Sequence, residues 1–216
     1  MKKGYWVVVK DIIKKSDIVL EVLDARLPEL TRIKKMEKFA SFYRKPLILV
    51  VNKADIVSET ALEKLKIRYE NDDSTILSAK LSKGINELVK KIKNKTKIKN
   101  PRVAVIGYPN TGKSSVINKL SRGGKAKTSS ESGYTRGIQL ISGKNGLMLF
   151  DTPGVVPFQD RDEVRLGLVS GISPSKLNDP DIVAYKLIKI FMSTNPSALE
   201  KAYSTDAKLS PEDFLI

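Results

Sequence analysis

The chain of 216 residues contains no cysteine and no histidine. Their absence excludes zinc sites with the usual ligands, thiol nucleophiles, disulfide bonds and acid–base chemistry by an imidazole. A protein of the reducing cytoplasm needs none of these, so we expect a cytoplasmic location.

Long apolar runs are also absent. No stretch approaches the roughly 20 apolar residues of a membrane span, and the N-terminal MKKGYWVVVKDIIKKSD becomes charged too early for a signal peptide. We therefore expect no membrane partner. The hydrophobic share of 41% still suffices for one α/β domain of average size, with a small addition.

Basic residues outnumber acidic ones by 39 to 24, which gives a formal net charge of +15. Such a surplus favours a polyanionic partner, most commonly nucleic acid. The alternative is that lysine merely serves as the main solubilising residue. Aromatic residues make up only 6% of the chain, so phosphate contacts rather than base stacking would dominate such binding.

Short apolar runs alternate with stretches of helical spacing along most of the chain. Strands are predicted at 17–25, 46–53, 74–79, 102–107, 137–142 and 146–151. Helices are predicted at about 5–15, 32–43, 58–70, 84–96 and 113–121, although YWVVVK in the first of these also suits a strand. The alternation predicts an α/β fold with a doubly wound, mostly parallel six-stranded sheet. The last two strands, joined by GKN, predict an antiparallel hairpin at one edge.

A phosphate-binding loop is predicted where RVAVIG leads into GYPNTGKSS. The pattern Gly107-x-x-x-x-Gly112-Lys113-Ser114 follows an apolar strand and precedes a helix. Such glycines let successive backbone amides point at phosphates, and the helix presents its N-terminus to the same charge. Lys113 would reach the β- and γ-phosphates, and the Ser114 hydroxyl would bind Mg²⁺. An ordinary glycine-rich turn is the alternative. The predicted nucleotide contacts here are Asn110, Thr111, Gly112, Lys113, Ser114 and Ser115.

Two further segments have the composition of a magnesium and γ-phosphate switch. The strand LMLFD ends at Asp151, whose carboxylate would hold Mg²⁺ through water, and the Gly154 amide would meet the γ-phosphate. In SSESGYTRG, Thr135 would close on Mg²⁺, with Thr128 as the competing residue. The segment also suits a solvated polar loop.

A guanine-reading loop is predicted at the end of an earlier strand. Asp55 of Asn52-Lys53-Ala54-Asp55 can accept both guanine donors, N1–H and the N2 amine, for which adenine has no equivalent. Lys53 would lie along the base, and Asn52 would tie this loop to the phosphate loop. The next strand ends in a predicted second base loop, in which the Ala79 amide would donate to guanine O6. That loop comprises Ser78, Ala79 and Lys80.

The base loops precede the phosphate loop, which is the reverse of the usual order. In this order the chain resembles a circularly permuted GTPase of the YlqF/RbgA-type ribosome-biogenesis family. DARLP at 24–28 and the tail from DEVRLGLVSGISPSKL to DPDIVAYKLI also resemble family segments, so the resemblance covers nearly the whole chain. A helix ending near the start of strand 102–107 would let a connector join the usual chain ends.

The resemblance implies a permuted P-loop GTPase domain at 1–157 and a small C-terminal helical region at 158–216. Within the first, 1–80 would recognise the base, 81–100 would be a basic connector with seven lysines, and 101–157 would hold the phosphates and switch. It also implies GTP and GDP as ligands, hydrolysis of GTP, and the large ribosomal subunit or its precursor, with its rRNA, as partner. We expect no DNA partner, and a monomer.

Hydrolysis needs a positioned water and positive charge at the β–γ bridge. Val155 stands where many GTPases carry glutamine, so slow intrinsic turnover is expected.

Asn110 resembles the asparagine that holds K⁺ in potassium-stimulated GTPases. Arg136 is the other candidate for supplying positive charge at the β–γ bridge. The expected catalytic residues are thus Lys113, Asn110, Thr135 and Gly154. The alternative function is a nucleotide-gated RNA- or protein-binding switch with negligible hydrolysis.

Overall fold

A computed structural model describes residues 4–122, 139–151, 163–204 and 209–214. The chain divides into two compact units, Met1–Phe158 and Gln159–Ile216. No helix among the described residues is long and apolar enough to cross a membrane.

The first unit is built on a six-stranded sheet with the order β3-β2-β1-β4-β6-β5. All neighbouring strands are parallel except β5 and β6, which form the antiparallel edge that the sequence predicts. The base-loop strands therefore lie on one side of the β1–β4 junction and the phosphate-loop strands on the other. The strands are β1 Ile18–Asp24, β2 Leu47–Asn52, β3 Ser74–Ile76, β4 Arg102–Gly107, β5 Gln139–Ser142 and β6 Met148–Asp151.

Helices connect these strands in the predicted places, but one helix and one strand are shorter than predicted, and the short helix α2 (Pro28–Thr31) was not predicted. The helix expected at 32–43 begins at residue 34, and a separate one-turn helix at residues 28–31 precedes it. The strand expected at 74–79 ends at Ile76, after which Ser78 forms an isolated bridge with Lys83. The helices are α1 Gly4–Lys15, α2 Pro28–Thr31, α3 Lys34–Phe42, α4 Glu59–Arg68, α5 Ile85–Thr96 and α6 Lys113–Leu120.

The ambiguous first segment is a helix, and its burial explains why. Val9, Ile12 and Ile13 are buried at helical spacing, so the chain places one apolar stripe inward. A strand over the same residues would send Ile12 and Ile13 to opposite faces.

The sheet is covered on both faces, as its near-continuous apolar strands predict. One core joins Leu20, Val50 and Val105 to the buried stripe of α5 and to α6. The opposite face packs Leu23 and Val51 against α4 through Leu65. Helices α4 and α5 therefore lie on opposite faces of the sheet.

In the second unit, the structure describes three α-helices. They are α7 Glu163–Leu168, α8 Pro180–Thr194 and α9 Pro196–Tyr203. The Asp179 side chain accepts a hydrogen bond from the Ile182 amide at 3.3 Å, which caps the start of α8. Val169, Val183 and Leu199 are buried. The helices thus pack through a small apolar core.

Glu21 is a fully buried carboxyl group in the middle of β1. Its Oε1 accepts the Ile33 amide at 2.5 Å, and its Oε2 has no hydrogen-bond partner among the described residues. Burial raises the pKa of Glu21 to about 8, and the Ile33 amide opposes this only in part. The folded protein therefore holds Glu21 protonated at neutral pH, while the unfolded chain does not.

We predict that Glu21→Gln flattens the pH dependence of stability. Because the folded-state pKa exceeds the unfolded value of 4.5, the contribution of protonated Glu21 to stability is complete below about pH 4.5 and is lost as the pH rises to about 8. A neutral amide does not titrate. The free energy of unfolding of Glu21→Gln, relative to that of the unmodified protein, should therefore rise by up to about 4 kcal/mol between pH 5 and 8.5. Urea unfolding across this range measures the difference.

The control is Glu63→Gln, which changes an exposed glutamate on α4. It should leave the slope of stability against pH unchanged. A Glu21→Gln curve parallel to that of the unmodified protein would contradict the prediction.

Candidate functional site

The segment between β4 and α6 forms a tight loop closed by its own hydrogen bonds. The Thr111 hydroxyl donates to the Tyr108 carbonyl at 2.9 Å, and Asn110 adopts a left-handed conformation with φ 58°. Gly112 has φ 93°, and a Cβ there would lie 2.2 Å from Asn52 Nδ2. A side chain at position 112 would therefore push the loop before α6 away from the loop after β2, which begins at Asn52.

Lys113, the first residue of α6, is buried. Its ammonium group donates a hydrogen bond to the Tyr108 carbonyl at the start of the same loop. Burial lowers the pKa of Lys113 to about 8. An ammonium held in such surroundings interacts strongly with an approaching anion. The loop thus combines one buried cation with the N-terminus of α6, where the first amides have no acceptor within the helix.

Two of the three predicted magnesium ligands, Ser114 and Asp151, lie at the same edge of the sheet. Ser114 is half-buried in the first turn of α6, and Ser115 beside it is exposed. Asp151 ends β6, which runs parallel to β4, although its side chain lies outside the described residues. No group of three or more acidic side chains that could hold a metal occurs among the described residues. A hydroxyl and a carboxylate, which Ser114 and Asp151 would supply, suit Mg²⁺, because this ion takes few protein ligands and completes its shell with water and phosphate oxygens.

The side chain of Asn52 joins three segments that are distant in sequence. Its Nδ2 donates to the Thr111 carbonyl at 2.9 Å, and its Oδ1 accepts the Ala79 amide at 3.0 Å. The predicted link between base loop and phosphate loop thus has a geometric counterpart. The Ala79 amide, expected to donate to guanine O6, here donates to Asn52, and its role toward a base stays a prediction.

Asp55 lies in a single 3-10 turn, Ala54–Ile56, directly after β2. The Ser78 hydroxyl donates to Asp55 Oδ1 at 2.6 Å and in turn accepts the Leu81 amide at 3.1 Å. The hydrogen bond from Ser78 is the main cause that lowers the pKa of Asp55, and the charges of Lys80 and Lys53 act in the same direction. The carboxylate is therefore ionised at neutral pH, with Oδ1 held by Ser78.

A cavity of about 460 Å³ lies between the two predicted base loops and α6, and we call it the inter-loop pocket. Seven of the predicted nucleotide contacts contribute to its wall. They are Asn52, Lys53, Asp55, Ala79, Lys80, Gly112 and Ser115.

Three further residues of the inter-loop pocket were missed from the sequence: Ile56, Asn118 and Lys119. Asn118 and Lys119 follow Ser115 by three and four positions on α6, so helical spacing could have revealed them. Asp24, from the DARLP segment, was also missed as a site residue, although its carboxylate accepts the Lys53 ammonium at 2.7 Å.

Several predicted residues lie outside the described part of the chain. They are Thr135, its competitor Thr128, Gly154, Val155 and Arg136. Their roles stay predictions.

Comparison with known proteins yields relatives over nearly the whole chain. It is 35% identical over 212 residues to a GTP-binding protein of Methanocaldococcus jannaschii, covering 96% of this chain and 56% of that protein. It is 32% identical over 223 residues to ribosome biogenesis GTPase A of Bacillus licheniformis, covering 95% and 77%. The chain spans 49% of the length of two yeast relatives, so it matches about half of several longer proteins.

A family match and a solved structure agree with these relatives. Residues 102–188 match the family described as 50S ribosome-binding GTPase. The crystal structure of GNP-bound YlqF from Thermotoga maritima superposes with a TM-score of 0.64 at 26% identity, covering 89% of this chain and 78% of that one. Together with the motif order and the sheet topology, these similarities establish that the chain belongs to the YlqF/RbgA-type family of ribosome-biogenesis GTPases.

Proposed function

We propose that this chain binds GTP and GDP in the inter-loop pocket, hydrolyses GTP with Mg²⁺, and acts as an assembly factor on the large ribosomal subunit. The observation that carries the proposal is the side chain of Asn52. It connects the predicted phosphate loop at Thr111 with the second base loop at Ala79, so one residue sets the distance between base and phosphate subsites.

Guanine selectivity is assigned to Asp55. Ser78 donates to its Oδ1 at 2.6 Å, which restrains the carboxylate at the wall of the pocket. An ionised carboxylate accepts the two donors on one edge of guanine, whereas adenine offers an acceptor at N1. Adenine would leave the charged group unpaired, which is costly, so GTP rather than ATP is the proposed substrate.

The phosphate subsite is assigned to the loop before α6. Lys113 would exchange the Tyr108 carbonyl for the β- and γ-phosphates, and the amides at the start of α6 would donate to the same oxygens. Ser114, Thr135 and Asp151 would hold Mg²⁺, which supplies positive charge to the phosphates. The Gly154 amide would donate to the γ-phosphate.

Slow hydrolysis is proposed because Val155, after the DTPG segment, cannot orient a water molecule. Asn110 is exposed on the phosphate loop, where its side-chain oxygen would hold K⁺ against the phosphates and supply the missing charge. The same valine favours the second candidate function, a nucleotide-gated RNA- or protein-binding switch with negligible hydrolysis.

The ribosomal role rests on family membership and on the distribution of charge. Helix α5 takes up most of the segment 81–100, and the buried side of this helix packs against the sheet. The opposite side of the helix exposes lysines such as Lys90 and Lys93. A row of lysines on a helix suits contact with RNA phosphates. We assign the GTPase activity to 1–157 and leave 158–216 as a separate helical region.

We predict that Asp55→Asn reverses the base preference. Loss of two charge-assisted hydrogen bonds should weaken GDP binding at least about 100-fold. Xanthosine diphosphate, which has a carbonyl in place of the guanine amine, can accept from the new amide and should bind more tightly than GDP. Titration calorimetry with both nucleotides measures this. Asp73→Asn, which changes an exposed carboxylate paired with Lys95, is the control and should bind GDP normally. Unchanged GDP affinity in Asp55→Asn would refute the role.

We predict that GTP turns over at least about 10-fold faster in KCl than in NaCl, through K⁺ held by Asn110. The matched variant is Asn110→Gly, since glycine tolerates the φ of 58° at this position and only the side chain is lost. It should hydrolyse GTP at the NaCl rate in both salts. Equal rates for the unmodified protein would remove the K⁺ proposal, and no turnover even with ribosomal subunits would favour the alternative function.

We predict that the chain co-sediments with large ribosomal subunits more strongly with a GTP analogue than with GDP, and less as salt rises. Lys90→Gln/Lys93→Gln on α5 should weaken association several-fold and reduce the salt dependence. Lys64→Gln/Lys66→Gln removes the same charge from α4 on the opposite face and is the control. Equal binding by both variants would exclude α5 as the RNA-contacting surface.

A further inference from the structure

Asp24, the last residue of β1, is a buried carboxylate surrounded by cationic donors. Only 3% of the residue is exposed. Its Oδ1 accepts the backbone amide and Nε of Arg26, both at 3.0 Å. Its Oδ2 accepts Arg26 Nη2 and Lys53 Nζ, both at 2.7 Å. One carboxylate thus receives four hydrogen bonds, three of them from charged groups.

The backbone holds this carboxylate at a fixed place beside the base loop. Asp24 is the register partner of Asn52 across β1 and β2, and the Ala25 amide donates to the Asn52 carbonyl at 2.8 Å. The Asp24 amide donates to the Thr31 hydroxyl at 3.0 Å. Burial raises the pKa of Asp24, but hydrogen bonds from Arg26 and Lys53 outweigh it, so the pKa lies below its usual value. These contacts restrain the Asp24 carboxylate, here called the anchor, and keep it ionised at neutral pH.

Lys53 connects this anchor to the inter-loop pocket. It adopts a left-handed conformation with φ 68°, between β2 and the turn that carries Asp55. Its side chain is 25% exposed, and the residue lines the pocket, whereas Asp24 does not. The ammonium of Lys53 is therefore bonded to a buried carboxylate that does not line the pocket, while Lys53 itself does.

We propose that Asp24 is a positioning residue for base recognition, which holds Lys53 so that its aliphatic stem forms a preset flat contact for a purine ring. The inference rests on the proposed nucleotide function of the pocket. Free lysine side chains lose rotamer freedom when they are ordered by a ligand. Here that ordering has already occurred on folding, which favours binding.

A purely structural role for Asp24 makes different predictions. Asp24 also closes the turn after β1 through Arg26, and a loss of that turn would affect binding whether or not Lys53 carried an ammonium. If Asp24 instead acts through Lys53, its substitution matters only while the ammonium is present. A double-mutant cycle separates the two roles.

The cycle uses Asp24→Asn, Lys53→Met and the double variant, in the full chain. Methionine keeps an unbranched apolar stem without the ammonium. Affinity and dissociation rate are measured for the fluorescent N-methylanthraniloyl derivative of GDP. Asp24→Asn should weaken binding about 10-fold, mainly through faster dissociation. In the Lys53→Met background the same substitution should change affinity by less than about twofold. An equal effect in both backgrounds would overturn the inference.

Two control variants separate positioning from folding. Asp17→Asn removes a similar carboxylate at the other end of β1, where Asp17 accepts Arg102 Nε at 3.1 Å and Nη2 at 2.8 Å. It should lower the urea midpoint and leave GDP affinity within about twofold. Arg26→Gln weakens the turn but keeps the Asp24–Lys53 pair, so it should also preserve affinity. If Asp24→Asn does not fold, Arg26→Gln distinguishes the two roles of Asp24. Weakened GDP binding in Arg26→Gln would support the structural role and overturn the positioning role.

Failure of the inference and failure of the proposed function are distinguishable. An unmodified chain that does not bind the GDP derivative would overturn both. An unmodified chain that binds it, with Asp24→Asn and Lys53→Met fully additive, would overturn the inference alone.

Discussion

The site depends on one carboxamide, the side chain of Asn52. It donates to the Thr111 carbonyl and accepts the Ala79 amide, and Gly112 is tolerated beside it only because it lacks a Cβ. Asn52 is 2% exposed, so water cannot replace these bonds. Asn52 and Thr111 are 59 positions apart in sequence. The buried carboxamide of Asn52 uses its nitrogen as a donor to one segment and its oxygen as an acceptor from the other, and so sets the distance between them.

The strand order explains how a rearranged chain can still build this contact. The predicted base-binding half contains β3, β2 and β1, and the predicted phosphate-binding half contains β4, β6 and β5. The halves meet where β1 and β4 pair in parallel, and α5 crosses from β3 to β4. Parallel strands place all their carboxyl ends at one edge. The order of the loops in sequence therefore matters less than which strands become neighbours.

The parts of this architecture that could be predicted are those specified by local patterns. The strands around Leu20, Val50 and Val105 are apolar throughout because both faces are covered, and this signal needs no partner information. The early end of β3 depends instead on the bridge between Ser78 and Lys83. The contact of Asp24 with Lys53 spans 29 positions and follows from the register of β1 with β2, which composition does not encode.

Asp24 and Glu21 lie on the same strand but differ in protonation state, and this difference shows where the fold can hold buried ionised groups. Both are buried, but Glu21 has a single backbone donor and is held protonated, whereas Asp24 has two cationic partners and is held ionised. The difference follows from position. Glu21 lies mid-strand against α3, and Asp24 lies at the carboxyl edge, where the loops bring their cations. Because an uncompensated buried charge is unstable, ionised groups can be retained only where several loops converge, and the inter-loop pocket lies at this edge.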